Sequence, residues 1–312
     1  MEVSAVVSPV DAIVLAGDRG AARAVAGVTN KALLALGGHS LLQRVLLALG
    51  QVAHIRSITV VGPEAQLADT VANTPLATPV LLLEQEDTAY QNFWKAFTRL
   101  TQGSGENPDR QVLVLGADMP LISRAEIDEF LARCAERPLD YCVGMSAEQA
   151  LQRFYPRDGR PGIHMRYLHL AEASLRLNNL HLVRPLRVEN RAYIEDIYGF
   201  RYQRDFRNML RTARDLLSQQ GIGWRALYLY LMLQLAEVGH QLGWKALWRF
   251  ARRKVRQEEV EGIASAVLRT RAGIVETTLG GCAIDVDNDR DYAVLQERWE
   301  EFSRPPPLPG EN

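Results

Sequence analysis

Short apolar runs alternate with helically spaced apolar positions through the first half of the chain, the pattern of strands feeding helices. Ala12-Ile-Val-Leu15 reads as a buried strand that enters a loop at Ala16-Gly17. Ser40 stands as an N-cap before Leu41, Leu42, Val45, Leu46 and Leu49, which share one helix face. Residues 58–61, 80–83 and 111–115 read as further strands; the last runs into Gly116-Ala117-Asp118-Met119-Pro120. Thr88 opens a helix with Tyr90, Phe93, Trp94, Phe97 and Leu100 on one face. Ser123 with Glu126 reads as a capping box for the next helix. This alternation predicts an α/β fold, a mostly parallel, Rossmann-like sheet flanked by helices, with ligands beyond the carboxyl ends of its strands. Gly17 and Asp118 both fall at such ends.

The second half is less regular. Extended pieces stand at 166–170 and 180–183, and a helix-rich stretch runs from about 202 to 268, broken at Gly221-Ile-Gly223 and Gly243. Strands return at 273–278 and 282–286, before a helix from Asp289. The expected organisation is one core (1–199 and 263–302), a helical insertion (200–262) and a flexible, proline-rich tail (303–312).

Composition narrows the setting. At 312 residues and 47% apolar, the chain can bury a substantial core. No apolar run reaches the roughly 18 residues that span a bilayer. Met1-Glu2-Val3-Ser4 has no signal-peptide character, and Cys134, Cys142 and Cys282 cannot all pair, so a cytoplasmic protein is expected. The net charge of −1 hides a block: residues 201–256 carry twelve Lys/Arg against three Asp/Glu. Within it, Trp244, Leu247, Trp248, Ala251 and Val255 share a face, and basic residues crowd the last two turns. Residues 244–256 suit peripheral contact with anionic membrane at its inner face; equally, they suit a helix packed on the domain with its arginines solvated. Nucleic acid is not expected, because the remainder is acidic. Oligomeric state has no signal.

The first loop, Leu15-Ala16-Gly17-Asp18-Arg19-Gly20, has neither the Rossmann glycine spacing nor a P-loop Gly-Lys-Ser/Thr. Its backbone N–H groups, with Arg19 and Lys31, suit phosphate binding, and a plain turn with solvated cations explains the same residues. Asp118 is placed to hold a divalent metal or to make a local turn hydrogen bond. Alternation sends Asp285 and Asp287 to one side, while Asn288 and Asp291 read as a helix cap.

Together these motifs resemble the MobA-like nucleotidyltransferases. Leu15-Ala16-Gly17, Lys31-Ala-Leu33 and Gly37-Gly-His-Ser-Leu41 are similar to the family's opening; Asp118-Met-Pro-Leu121 is similar to its metal motif, and Asp285-Val-Asp287 with Asp291 to its closing motif. The resemblance covers residues 11–130 and 272–302. It implies a GT-A-like fold and Mg²⁺ (or Mn²⁺) held by Asp118, Asp287 and Asp285. It also implies NTP contacts from Leu15, Ala16 and Gly17, with Thr88 and Asn92 beside the base or ribose. Arg19 and Lys31 would stabilise the triphosphate, and Asn179, in Asn178-Asn179, would line the pocket of a small phosphorylated acceptor; a turn into a strand explains this pair too. Three positions depart from the pattern: Asp18 replaces a glycine, Ala32 a proline, and Asn288-Asp289 a Thr-Pro. The implied reaction moves an NMP onto the acceptor and releases pyrophosphate. A glycosyltransferase using a sugar nucleotide, or a non-catalytic nucleotide- or lipid-binding regulator, are the alternatives.

Overall fold

The computed structural model describes residues 7–18, 20, 24–191 and 223–304. In chain order the elements are β1 (Val10–Leu15), β2 (Ala35–Leu36), β3 (His39–Ser40), α1 (Leu41–Gly50), β4 (Ile55–Val61) and α2 (Glu64–Ala72). There follow β5 (Val80–Leu83), α3 (Ala89–Thr101), β6 (Val112–Gly116), α4 (Arg124–Ala135), β7 (Tyr141–Ala147) and α5 (Glu148–Leu151). Then come β8 (Leu168–His169), β9 (Ser174–Val183), α6 (Gly223–Gln241), α7 (Lys245–Arg252) and α8 (Gln257–Leu268). The chain closes with β10 (Ala272–Thr277), α9 (Asp289–Glu297) and α10 (Trp299–Phe302).

Eight strands form a mixed, mostly parallel sheet in the order β10-β7-β9-β6-β1-β4-β5, with β8 paired to β9. The β1–β4, β1–β6, β4–β5 and β7–β10 pairs are parallel, and β9 runs antiparallel to β6, β7 and β8. Alternation on β1 sorts the helices. Val10, Ala12 and Val14 pack with α1 and α4, whereas Ile13 and Leu15 pack with α3 and α8. Both faces are therefore covered, as expected for a fold of this class. Ser40 with Gln43 and Thr88 with Gln91 form full capping boxes, which fix the entries to α1 and α3.

Several expectations change. The piece at 180–183 is the end of a ten-residue strand, β9, and Asn178-Asn179 lies mid-strand, not in a turn. The ladder with β7 slips beside it and Asn179 has φ 60°, so the period-two pattern is broken and only the last residues read as strand. β7 carries no clean alternation because Gly144 and Ser146 occupy its buried positions beside Cys142. Residues 282–286 are not a strand. Gly280, at φ 75°, turns the chain out of line with β10 into a 3₁₀ turn, Gly281–Ala283, followed by an extended passage outside the sheet. Ser123 caps α4, but Glu126 does not close the box. Its carboxylate is buried and instead accepts from the Thr277 hydroxyl (2.8 Å) and from the N–H groups of Gly280 (3.2 Å) and Cys282 (2.9 Å).

The helical stretch breaks at Gly243 (φ 69°), and α6 folds back along α7, Gly239 lying against the Trp248 backbone. The expected apolar face of 244–256 splits. Ala251 and Val255 are buried, Val255 among Leu175 and Ile274 of the sheet, whereas Trp244 is 59% exposed. Arg252 is not a solvated cation: its Nε donates to the Leu170 carbonyl (2.8 Å) and its guanidinium stacks on Trp248. No helix among the described residues is long and apolar enough to cross a membrane. Residues 201–222, which hold much of the basic block, and 305–312, which hold most of the expected tail, lie outside the described residues.

Candidate active site

A cleft of about 510 Å³ opens at the carboxyl ends of β1 and β6. Its floor is the first loop, where Ala16 donates to the Val61 carbonyl (2.8 Å). A Cβ on Gly17 would stand 3.2 Å from Gln85 Oε1 and 3.6 Å from Asn92 Nδ2, so the glycine lets the loop lie close to both. The Asp18 N–H donates to Gln85 Oε1 (2.8 Å), and the Asp18 carboxylate accepts from Gly20 N–H (2.7 Å), Thr29 Oγ1 (3.0 Å) and Gln66 Nε2 (3.3 Å). Burial raises this carboxyl, but those bonds outweigh it and hold it below the usual range. The acidic departure in the loop thus serves as its brace.

Lys31 begins a 3₁₀ turn, Lys31–Leu33, whose cap is Asn30. Asn30 is buried; its Oδ1 accepts from Ala32 N–H (3.0 Å) and its Nδ2 donates to the Ala16 carbonyl (3.2 Å), tying Lys31 to the first loop. Lys31 Nζ lies 3.0 Å from Asp287 Oδ1, a half-exposed pair that joins the opening motif to the closing one. Arg19 lies outside the described residues. On the opposite wall Thr88 caps α3, and buried Asn92 accepts the Glu86 N–H (2.5 Å), which fixes the 84–88 loop.

A backbone bond helps assemble the acidic wall. Val286 N–H donates to the Asp118 carbonyl (3.1 Å), holding the closing segment against the end of β6, with the Asp285 and Asp287 carboxylates beside each other. The Asp118 carboxylate folds back over Gly116, where a Cβ would come within 2.7 Å of Oδ1. Arg176 on β9 donates to Asp285 Oδ1 (2.7 Å) and to the Ala283 carbonyl (2.8 Å). Burial, then the Asp287 carboxylate, push Asp285 up to about 6, with Asp118 adding and Arg176 offsetting. Asp291 lies in the cap of α9: its N–H donates to Asn288 Oδ1 (2.9 Å) and its carboxylate accepts from Asn288 Nδ2 (2.7 Å).

Leu15, Ala16, Gly17, Lys31, Thr88, Asn92, Asp118, Asn179, Asp285 and Asp287 thus line one cleft, although they span 273 positions of sequence. The pair Asn178-Asn179 divides: Asn178 is buried and donates to Thr277 Oγ1 (2.9 Å), and Asn179 lines the cleft. Sequence reasoning missed Asn30, Gln85, Arg176 and His181. An asparagine just before Lys-Ala-Leu is a cap signal that points to Asn30; the other three have no local signature.

The residues present suit a divalent cation bound through oxygen. Six acidic residues (Asp18, Glu86, Asp87, Asp118, Asp285 and Asp287) line the cleft with one basic residue, Lys31, among the described lining residues; behind them Arg176 pairs with Asp285 and Lys95 with Glu86. No three His, Cys, Asp or Glu side chains converge on a single point among the described residues. Mg²⁺ ordinarily takes one or two protein carboxylates and completes its shell with water and phosphate oxygens, so the wall fits that ion better than an all-protein cage.

The profile of the MobA-like NTP transferase domain matches residues 12–266. Among solved structures, a hypothetical transferase from Thermus thermophilus is 24% identical with a TM-score of 0.64, over 91% of this chain and 99% of that one. The 4-diphosphocytidyl-2C-methyl-D-erythritol synthase of Anaerococcus prevotii (10% identity, TM-score 0.47) is matched over 94% of this chain and 99% of its own. A CMP:2-keto-3-deoxy-manno-octonic acid synthetase complexed with CTP (13% identity, TM-score 0.47) is matched over the same shares. No curated protein matches. A domain match that spans most of the sequence, on a GT-A-like sheet with this cleft, makes the chain a nucleotidyltransferase belonging to the MobA-like NTP transferase family.

Proposed function

We propose that the protein transfers a nucleoside monophosphate from an NTP to a small phosphorylated acceptor, with Mg²⁺ (or Mn²⁺) required. The charge of the cleft carries this reading. A bare triphosphate entering a pocket lined by six acidic residues and one lysine would meet like charge, even with Arg176 paired to Asp285 and Lys95 to Glu86. A divalent cation held by Asp118 and Asp287, with Asp285 beside them, would offset much of that charge and supply charge neutralisation at the phosphates. An acceptor phosphate oxygen attacks the α-phosphorus in line; the new P–O bond forms as the α–β bridging bond breaks, and pyrophosphate leaves with that electron pair. A phosphate dianion needs no protein base for this step. Lys31 and Arg19, with backbone N–H groups near Gly17, stabilise the departing pyrophosphate. Thr88 and Asn92 shape the base or ribose wall, and Asn179 stands on the acceptor side. Residues 200–262 remain, in this reading, an insertion in a single core.

The experiment is pyrophosphate release from each of the four NTPs with a panel of phosphate monoesters, with Mg²⁺ or EDTA. Release that needs both an NTP and Mg²⁺ is the expected result. Turnover of sugar nucleotides without pyrophosphate would replace this reading with a glycosyltransferase, and NTP-dependent stabilisation without turnover would make the protein a binder.

A peripheral membrane role is the second reading, and one observation favours it. Among the described residues, nine of the ten exposed large apolar side chains lie between Trp224 and Phe250. Trp224, Tyr228, Leu231, Leu235 and Val238 follow helical spacing along one side of α6, with Leu242 and Trp244 continuing past it. Arg249, Arg253 and Lys254 are exposed nearby, and the only acidic residue from 223 to 256 is Glu237. An apolar stripe with a basic margin suits anionic headgroups.

A further inference from the structure

A second cavity adjoins the catalytic cleft beneath α3. Leu15, Ala89, Val114 and His181 line both. From that shared mouth the annex runs between α3 and the sheet, past Phe93 and Trp94 on one side and Val183 on the other. Among the described residues, α3 and α8 both pack on this face of the sheet, and the annex lies between α3 and β9. The walls are hydrocarbon and aromatic. The polar groups are a hydrogen-bonded Tyr141–His181 pair (3.1 Å) and Arg191, whose guanidinium stacks on Trp94 at 4.7 Å. Edge-to-face contacts of Trp94 with Phe93 (5.3 Å) and Phe97 (5.6 Å) hold its ring in place. The Trp94 Nε1–H is buried with no acceptor among the described residues. A built, rigid, apolar void that opens on the polar site has the anatomy of a specificity pocket.

We propose that this annex receives the alcohol part of the acceptor, so that the acceptor is a phosphate monoester carrying an apolar group of about four or five carbons. The inference rests on the transferase reading, which places the acceptor phosphate in the cleft beside Asn179. Two features select this class. The annex joins the cleft at His181, two residues along β9 from Asn179, so a single small molecule reaches both. Its volume is about 70 Å³; at about 15 Å³ for each group, the upper end for a water-sized group because a methylene is bulkier than water, that admits about five non-hydrogen atoms. Each methylene moved from water into such a wall raises affinity roughly fourfold. A polar alcohol of equal length gains nothing there and loses its water.

The test is calorimetric titration with n-butyl phosphate and with glycerol 3-phosphate, in parallel with NTP-dependent thermal shift and pyrophosphate release. Butyl phosphate is expected to bind at least tenfold more tightly. Phe93→Trp, which narrows the annex, should abolish that preference while the NTP-dependent thermal shift stays in place. Tyr90→Ala, which widens it, should move the preference to n-hexyl phosphate, and it decides the matter if Phe93→Trp does not fold. Equal affinities for the two esters, with the NTP response intact, would overturn the annex and leave the transferase standing. A preference that survives Phe93→Trp would put the apolar group elsewhere and would also overturn it. If the preference follows both variants but no NTP yields pyrophosphate, the annex stands and the transferase reading fails.

Discussion

At the residue scale the acidic residues divide between the cleft and a helix cap. Asp118 and Asp287 line the cleft, whereas Asp291 is bonded on both its N–H and its carboxylate within the cap of α9. Asp118→Asn and Asp287→Asn should each lower turnover about a hundredfold or more, the scale of one lost electrostatic stabiliser. Asp291→Asn should cost about 1 kcal/mol of stability with turnover nearly intact; steady-state rates and melting curves on the same preparations separate the two effects. Lys31→Ala should weaken NTP binding, read by calorimetry, and change stability little, because its pair with Asp287 is partly exposed and screened. That Lys31 and Asp118 line the cleft was foreshadowed by short motifs, Lys31-Ala-Leu33 and, directly after the apolar β6, Asp118-Met-Pro. The job of Asp18 was not, since its partners Gln66 and Gln85 come from distant turns.

At the element scale the caps of α1, α3 and α9 were legible, because a cap and its partner lie three residues apart. Glu126 obeyed the same rule in sequence and broke it in space. Its partners Thr277, Gly280 and Cys282 lie more than 150 residues away, and satisfying three buried donors outweighs closing a box at an exposed helix end. Glu126→Ala should cost about 2–4 kcal/mol and lower turnover as well, because the turn it anchors leads into Asp285. Denaturant unfolding and steady-state kinetics would show both; a stability loss with unchanged turnover would limit Glu126 to the fold. β1 supplies a pH prediction. Burial raises the Asp11 carboxyl, but bonds from Arg56, Arg110 and Ser57 outweigh it and hold it below its usual range. A carboxyl lower in the folded chain than in the unfolded one stabilises fully above the unfolded value of about 3.9, and that contribution is lost as pH falls. Asp11→Asn should therefore be less stable at pH 7 and show a shallower fall in melting temperature below about pH 4.

At the scale of the whole molecule, the α6–α7 hairpin sits on the Met145, Leu175 and Ile274 side of the sheet and turns its aromatic stripe outward. If that stripe meets membrane, the protein should co-sediment with phosphatidylglycerol vesicles, weakly with phosphatidylcholine, and less as salt rises. Replacing Trp224, Leu231 and Trp244 with Ser should release it without loss of turnover on a soluble acceptor, since none of the three lines the cleft. Arg252 is the wrong residue to change, because losing its bond to Leu170 would loosen the hairpin itself. Salt-independent sedimentation, or none, would remove the membrane reading.

What the chain determined by itself is local. Apolar period, caps and strand-end motifs specify a mostly parallel α/β sheet and the order of its loops, because each signal spans only a few residues. What the tertiary structure alone decided is pairing across distance. The insertion of β9 between β6 and β7 sets Asn179 and His181 on the cleft, and the bond from Val286 N–H to the Asp118 carbonyl holds Asp285-Val-Asp287 against the end of β6. No sequence period encodes either one. Strand order and long-range hydrogen bonds are settled by which arrangement buries the most apolar surface while leaving the fewest polar groups unpaired.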